Sequence, residues 1–231
     1  MKNIPTHIAI IPDGNRRWAK KKNLLPWKGH VEGAKRVQEI IERAAKIGIP
    51  YLTVWGGSYD NLVKRSKVEV SALNKAYKEM AQKIISTDLA EKNGAKVNVL
   101  GEWEKLLESD VVKALKAMEK ATAKNNKMNV TVLIGYNGDR EMLSAIKKIT
   151  NNKSKQITED IIKENLWTKD LPPVDMVIRT GGEPHLSAGF MMWDVRYSLL
   201  YFTDKFWPDF RAKDLDSAIA YYSLQERRKG K

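Results

Sequence analysis

The stretch His7-Ile8-Ala9-Ile10-Ile11-Pro12-Asp13-Gly14-Asn15-Arg16-Arg17-Trp18 decides how the rest of the chain is read. His7–Ile11 is an unbroken, isoleucine-rich run, the pattern of a strand covered on both faces rather than one with a wet side. His7, at its start, is assigned a structural role. Pro12 and the Asp13-Gly14-Asn15 triplet end the run in a turn. Basic residues follow at once, in a segment that opens a helix. A strand that leads straight into a helix is the first half of a parallel crossover.

Outward from this stretch the same alternation repeats. Further strands are predicted at Tyr51–Trp55, Lys96–Leu100, Val130–Ile134, Asp175–Arg179 and Leu199–Phe202. Between and after them, helical spacing covers Val31–Ile47, about Lys67 to Glu91, Leu106–Ala123, Arg140–Ile149, Thr158–Asn165 and Leu215–Leu224. The alternation predicts an α/β fold, a mostly parallel central sheet of about six strands with helices on both faces. In such sheets ligands bind outside the carboxyl ends of the strands. Here those ends read Asp13-Gly14-Asn15, Gly56-Gly57-Ser58, Tyr136-Asn137-Gly138 and Arg179-Thr180-Gly181-Gly182, so glycines, small polar residues and arginines share one rim. No repeat, low-complexity tract or linker interrupts the 231 residues, and one domain over 1–231 is expected.

Composition narrows the function classes. The chain carries 41 Lys and Arg against 28 Asp and Glu, a net charge of +13, and no cysteine. Disulfides and thiolate metal sites are excluded, which fits a reducing compartment. The longest apolar runs fall far short of the ~20 residues of a membrane span. Met1–Pro12 lacks the layout of a secretory signal, so a cytoplasmic protein is expected. The excess charge points to polyanions, and it concentrates at Lys2–Lys28 and again at Arg227–Lys231. Such clusters suit phosphate on a small substrate as well as on nucleic acid.

Three segments hold the candidate chemistry. At Asp13–Trp18, free N–H groups of a helix start and the forked donors of Arg16 and Arg17 suit a diphosphate. Asp13 would repel that diphosphate unless a divalent cation lies between them, and Mg²⁺ binds through one or two carboxylates plus substrate phosphates. An ordinary Asp-Gly turn before a basic surface helix accounts for the same residues. The polar loop Gly56-Gly57-Ser58-Tyr59-Asp60-Asn61, followed by Arg65, is either a closing loop or a glycine connection. Arg179-Thr180-Gly181-Gly182-Glu183-Pro184-His185-Leu186-Ser187 offers Arg, paired glycines, His and Ser, again suited to diphosphate or to a plain turn. His30, beside Gly29, either contacts phosphate or caps. The chain has no Gly-x-x-x-x-Gly-Lys-Ser/Thr or Gly-x-Ser-x-Gly sequence, which argues against P-loop and α/β-hydrolase chemistry.

Taken in order, these segments resemble the cis-prenyltransferase family, typified by undecaprenyl diphosphate synthases. His7–Ala19 with Gly29-His30 and Gly33 looks like the family's first signature. Ser58-Tyr59-Asp60-Asn61 with Arg65 and Glu69-Val70 is similar to its second. Asp175–Glu183, Leu186-Ser187, Tyr201-Phe202-Thr203-Asp204, Trp207-Pro208-Asp209-Phe210 and the terminal Arg228-Lys229-Gly230 resemble the last. The resemblance implies Mg²⁺-dependent condensation of isopentenyl diphosphate with an allylic diphosphate. It implies that Asp13 binds the metal, with Asn15 and Ser58 assisting the chemistry. Substrate contacts would come from Gly14, Asn15, Arg16, Arg17, Trp18, Lys28, His30, Asn61, Arg65, Arg179, His185, Ser187 and Arg228. It further implies a hydrophobic tunnel between the sheet and the long helix, and a homodimer in which the Arg228 tail enters the neighbouring site. A peripheral membrane contact for product release and no nucleic-acid partner complete the expectation.

The chain departs from the family pattern at Pro26, His185 and Leu199, which stand where Arg, Arg and Glu are usual, and at Leu62, which replaces a Trp. Lys28 is expected to compensate for Pro26 as a point charge, and His185 or Asp194 for the missing Glu. Two alternatives accompany the main reading: a synthase making short or irregularly coupled chains, and a non-catalytic binding subunit of the same fold.

Overall fold

A computed structural model describes residues 3–87, 89–151 and 156–225. Six strands form one sheet: β1 (His7–Ile11), β2 (Tyr51–Gly57), β3 (Ala95–Leu100), β4 (Met128–Ile134), β5 (Met176–Arg179) and β6 (Leu199–Phe202). Their order is β3-β4-β2-β1-β5-β6, and every pairing is parallel. β1 is central and all five of its residues are buried, as its uninterrupted apolar run requires. Ile8 and Ile10 face one core with Leu52, Val54, Val130, Val132 and Ile178. Ala9 and Ile11 face the other with Trp55, Leu133, Tyr136 and Val177.

The helices are α1 (Asn15–Lys21), α2 (Pro26–Ile47), α3 (Tyr59–Lys64), α4 (Lys67–Ser86), α5 (Leu89–Asn93), α6 (Trp103–Leu106), α7 (Ser109–Thr122), α8 (Gly138–Asn151), α9 (Glu159–Asn165) and α10 (Ala212–Ser223). Buried residues of α2, α4, α7 and α10 join the first core through Ile40, Leu73, Leu115 and Leu215. Under the second face pack Leu171, Val174, Phe190 and Met191, and α8 is tied there by the hydrogen bond from Tyr136 Oη to Glu141.

Several element bounds differ from the sequence expectation, each for a local reason. α2 starts at Pro26, five residues before the first clear apolar period, because a proline fits the first turn where no N–H is needed. The helix expected from Lys67 to Glu91 breaks after Ser86, and α5 follows as a separate turn. The helix expected at Leu106–Ala123 is divided at Leu107, which is extended (φ −95°, ψ 159°). β2 continues through Gly56 and Gly57, with an irregularity in its register against β4 there.

The parallel arrangement puts the ends of β1, β2, β4 and β5 on one rim. Gly14 turns the chain from β1 into α1 with φ 95°, a left-handed conformation that favours glycine. Gly33 lets α2 pass so close that a Cβ there would lie 2.4 Å from Asn15 Oδ1. These contacts bring α1, α2 and the rim together.

Candidate active site

A cavity of about 660 Å³ opens at this rim. Its mouth is polar, with Asp13, Asn15, Arg16, Arg17, His30, Ser58, Asn61, Arg65, Arg179, Glu183 and Ser187. Its interior is apolar, formed by Val37 of α2, Leu73, Ala76, Tyr77 and Met80 of α4, and Val54 and Val132 of the sheet. The hollow between α4 and the sheet therefore matches the expected tunnel, with Leu73, Ala76, Tyr77 and Met80 of α4 along its wall. Ile84 packs instead against the core and Ile85 is exposed.

Asp13 is pinned by its backbone. Its N–H donates to Thr180 Oγ1 at 2.9 Å, and its carbonyl accepts from Thr180 Oγ1 at 2.8 Å and from the Trp207 N–H at 2.9 Å. Its carboxylate accepts from the Gly14 N–H at 2.6 Å, from Arg179 Nη2 at 2.9 Å and, at 3.3 Å, faces Arg17 Nη2. The Gly14 N–H is thus committed within the turn, so of the N–H groups expected to face a diphosphate, those of Asn15, Arg16 and Arg17 remain.

Arg179 ends β5 with its side chain 3% exposed. Nη1 donates to the His185 carbonyl at 2.6 Å and to Ser187 Oγ at 2.9 Å; Nη2 meets Asp13 and, at 3.1 Å, Glu183. Its Nε is buried with no protein partner, and so are Arg65 Nε and Asn15 Oδ1. Buried polar atoms are nearly always satisfied, so orphans gathered around one mouth mark places for ligand atoms or water.

Arg65 lies across the mouth, where Nη1 donates to His30 Nε2 at 3.2 Å, leaving the ring proton on Nδ1. Burial, then the charges of Arg65 and Arg16, lower the His30 pKa to about 4. At neutral pH His30 is therefore an uncharged acceptor for an arginine. Burial likewise lowers the Arg65 pKa, with Arg16 adding to the effect. Positive charge is crowded here, with Glu69 as the nearby acid, 3.7 Å from Arg16. Ser58 is buried and caps α3, its Oγ accepting from the Asn61 N–H at 3.0 Å.

Other expected residues fall elsewhere. Trp18 does not line the cavity; its Nε1 donates to Asp209 Oδ1 at 2.8 Å and its ring lies under Lys22. Lys28 is exposed and stands 4.3 Å over the Trp27 ring, so it does not replace an arginine in the mouth. His185 enters through its carbonyl on Arg179, while its ring is outside, 3.2 Å from Ser187 Oγ. Asp194 is not a substitute metal ligand, because it is buried against Lys163 (2.6 Å) and Thr168 (2.7 Å) in a separate network. Leu199 opens β6 opposite Met176, at the end of the strand pair away from Arg179, with its side chain against the core. Arg228 lies outside the described residues. His7 is structural as expected, buried between Thr53 Oγ1 and the Pro172 carbonyl.

Glu183 was absent from the expected set, although it stands four residues after Arg179. It bridges Arg179 and Arg17, with Arg17 Nη1 3.2 Å away. Its neighbour segment is also unusual: Ala188, in the cavity wall, has φ 46°.

A family model of undecaprenyl diphosphate synthases matches residues 11–230. The chain is 39% identical to the tritrans,polycis-undecaprenyl-diphosphate synthase (geranylgeranyl-diphosphate specific) of Pyrococcus furiosus, over 99% of this chain and 88% of that protein. It is 38% identical to an isoprenyl transferase of Fusobacterium nucleatum, over 99% and 97%. The structure of lavandulyl diphosphate synthase from Lavandula x intermedia, in complex with dimethylallyl diphosphate, matches with a TM-score of 0.92 at 29% identity, covering 99% of each chain.

Proposed function

Because the chain belongs to the undecaprenyl diphosphate synthase family of cis-prenyltransferases, we propose that the cavity at the β1 and β5 ends condenses isopentenyl diphosphate with an allylic diphosphate. The protein is a transferase of isoprenoid synthesis that elongates prenyl chains, which sets aside the non-catalytic alternative. The observation that carries the assignment of roles is the buried Arg179 guanidinium, held between Asp13 and Ser187 at the polar end of an apolar hollow.

In this reading Arg16, Arg17, the N–H groups of Asn15 to Arg17, His30 and Arg65 take the allylic diphosphate. Arg179 and Ser187 take the diphosphate of isopentenyl diphosphate, with Ser58 and Asn61 beside it. Carbon–carbon bond formation expels the allylic diphosphate with its bonding electrons, and the isopentenyl unit loses a proton. Arginines already in place where the negative charge grows lower that barrier without reorganisation. Asn15 and Ser58 assist proton removal. The growing chain lies along Val37, Leu73, Ala76, Tyr77 and Met80, where its burial adds about 0.8 kcal/mol per CH₂.

Among the described residues no group of three or more His, Cys, Asp or Glu side chains forms a metal cage. The Asp13 carboxylate, near the unsatisfied donors Arg179 Nε and Arg65 Nε, fits Mg²⁺ held jointly by one carboxylate and substrate phosphates. Asp13 would hold the ion, which when bound neutralises charge on the departing diphosphate.

The rest of the assignment is a single domain over 1–231, acting in the cytoplasm as a homodimer whose Arg228 tail completes the neighbouring site. No nucleic acid takes part, and a peripheral membrane contact receives the product. Among the described residues no helix is long and apolar enough to cross a membrane. The test is incubation with isopentenyl diphosphate, Mg²⁺ and a panel of allylic primers, read by product mass. Mg²⁺-dependent products one isoprene unit apart are expected; no product with any primer overturns the reading. A volume of about 660 Å³ is typical of pockets for drug-sized ligands. That favours, as a second reading, short or irregularly coupled chains, which double-bond geometry and product mass would distinguish.

A further inference from the structure

Asp13, Arg17, Glu183 and Arg179 form a closed ring of alternating charge. Asp13 faces Arg17 Nη2 at 3.3 Å and Arg179 Nη2 at 2.9 Å; Glu183 faces Arg17 Nη1 at 3.2 Å and Arg179 Nη2 at 3.1 Å. The two carboxylates are not equivalent. Asp13 is fixed by backbone hydrogen bonds to Thr180 and Trp207, and its carboxylate accepts from the Gly14 N–H. The Glu183 side chain is 45% exposed, and its carboxylate contacts side chains alone: the two arginines and His185 Nε2 at 3.9 Å. A rotation of that side chain releases it without disturbing the backbone.

The charges of the ring cancel, so a multiply charged diphosphate gains little from entering it as it stands. The Arg179 Nη2 position is already shared by two acceptors. Resting on the reading of Arg179 as the clamp for isopentenyl diphosphate, we propose that Glu183 is a positioning residue that acts as an internal occupant of that clamp. Its carboxylate holds Arg17 and Arg179 in the ligand-free chain and gives way to the incoming diphosphate. Ligand oxygens then replace the Glu183 oxygens on Nη2 and reach the free Nε of Arg179. Glu183 thereby keeps a buried guanidinium compensated between turnovers and sets how tightly the second substrate binds.

The experiment is calorimetric titration of inorganic diphosphate into the full chain, with and without Mg²⁺, for wild type, Glu183→Gln, Glu183→Asp and Arg179→Gln. Loss of an occupant strengthens binding, whereas loss of a merely structural contact weakens it, so the sign decides. Glu183→Gln is expected to bind about three- to tenfold tighter in both conditions, the range of releasing two ion pairs of modest strength. Its KM for isopentenyl diphosphate should fall in step. Glu183→Asp, which keeps the charge on a shorter stem, should lie between wild type and Gln. Unchanged or weaker binding by a folded Glu183→Gln overturns the proposal; weaker binding confined to Mg²⁺ would make Glu183 a cation ligand instead. Equal diphosphate affinity in wild type and Arg179→Gln would instead overturn the underlying assignment of the clamp.

Discussion

Arg179 Nη2 lies 2.9 Å from Asp13 Oδ2, joining the ends of β5 and β1 across 166 positions of sequence. The pair forms because Ile11 is in register with Arg179 on neighbouring parallel strands, so that Asp13, two residues beyond Ile11, comes within reach of the Arg179 side chain. A nearly fully buried guanidinium and a carboxylate about one-third exposed then share the floor of the mouth. The consequences can be measured one residue at a time.

Asp13→Asn keeps the shape of the turn and removes the charge. Turnover is expected to fall by about 10²-fold or more, the scale of losing one preorganised electrostatic group. Unfolding free energy should drop by no more than about 2 kcal/mol, because Glu183 still faces Arg179. Single-turnover kinetics set against urea melts checks this. Equal proportional damage to folding would make Asp13 a structural residue.

Arg179→Lys retains a charge but loses the fork that spans Asp13, Ser187 and the His185 carbonyl. The KM for isopentenyl diphosphate should rise by about tenfold or more, with a smaller change for the allylic primer. Steady-state kinetics with each substrate varied in turn reads the difference. A larger effect on the primer would exchange the two subsites.

His30 links stability to pH. Its folded pKa of about 4 lies below the ordinary 6.5, so the unfolded chain binds the proton more readily. Stability is therefore fully present above pH 6.5 and is lost as pH falls towards 4, by about 3 kcal/mol from this residue. Burial lowers the pKa of His7 as well, adding a slope of the same sign. In urea unfolding at several pH values, His30→Gln should flatten the curve between pH 6.5 and 4. A curve parallel to wild type would remove His30 as its cause.

Ala76→Leu places extra methyl groups in the apolar interior. Product length should shorten while primer affinity changes little, since the polar side chains of the mouth lie at the other end of the cavity. Mass spectrometry of products gives the answer, and an unchanged distribution would show that the chain does not run along α4.

Trp18→Phe removes the hydrogen bond to Asp209 outside the cavity. A stability loss of about 1 kcal/mol is expected, with KM values for both substrates preserved. A raised KM would return Trp18 to the site.

Much of this was legible in the residues themselves. Local chemistry is enough to place β1 and the turn after it: an apolar run must be buried on both sides, and Asp-Gly-Asn must bend. It also predicts that Asp13, Ser58 and Arg179 emerge on one rim, since parallel strands of one sheet share their carboxyl ends. Packing between distant segments decided the rest. Trp18 and Lys28 stand in the same basic stretch as Arg17, yet the turn of α1 sends Trp18 to Asp209, and Lys28 settles on Trp27. His30 becomes an acceptor for Arg65 only because α2 and the segment after α3 meet across the mouth. Glu183 finds its place between arginines from two different elements. Sequence spacing states which residues a turn or strand end delivers; which way each side chain points, and whose charge it meets, depends on what the tertiary fold brings opposite.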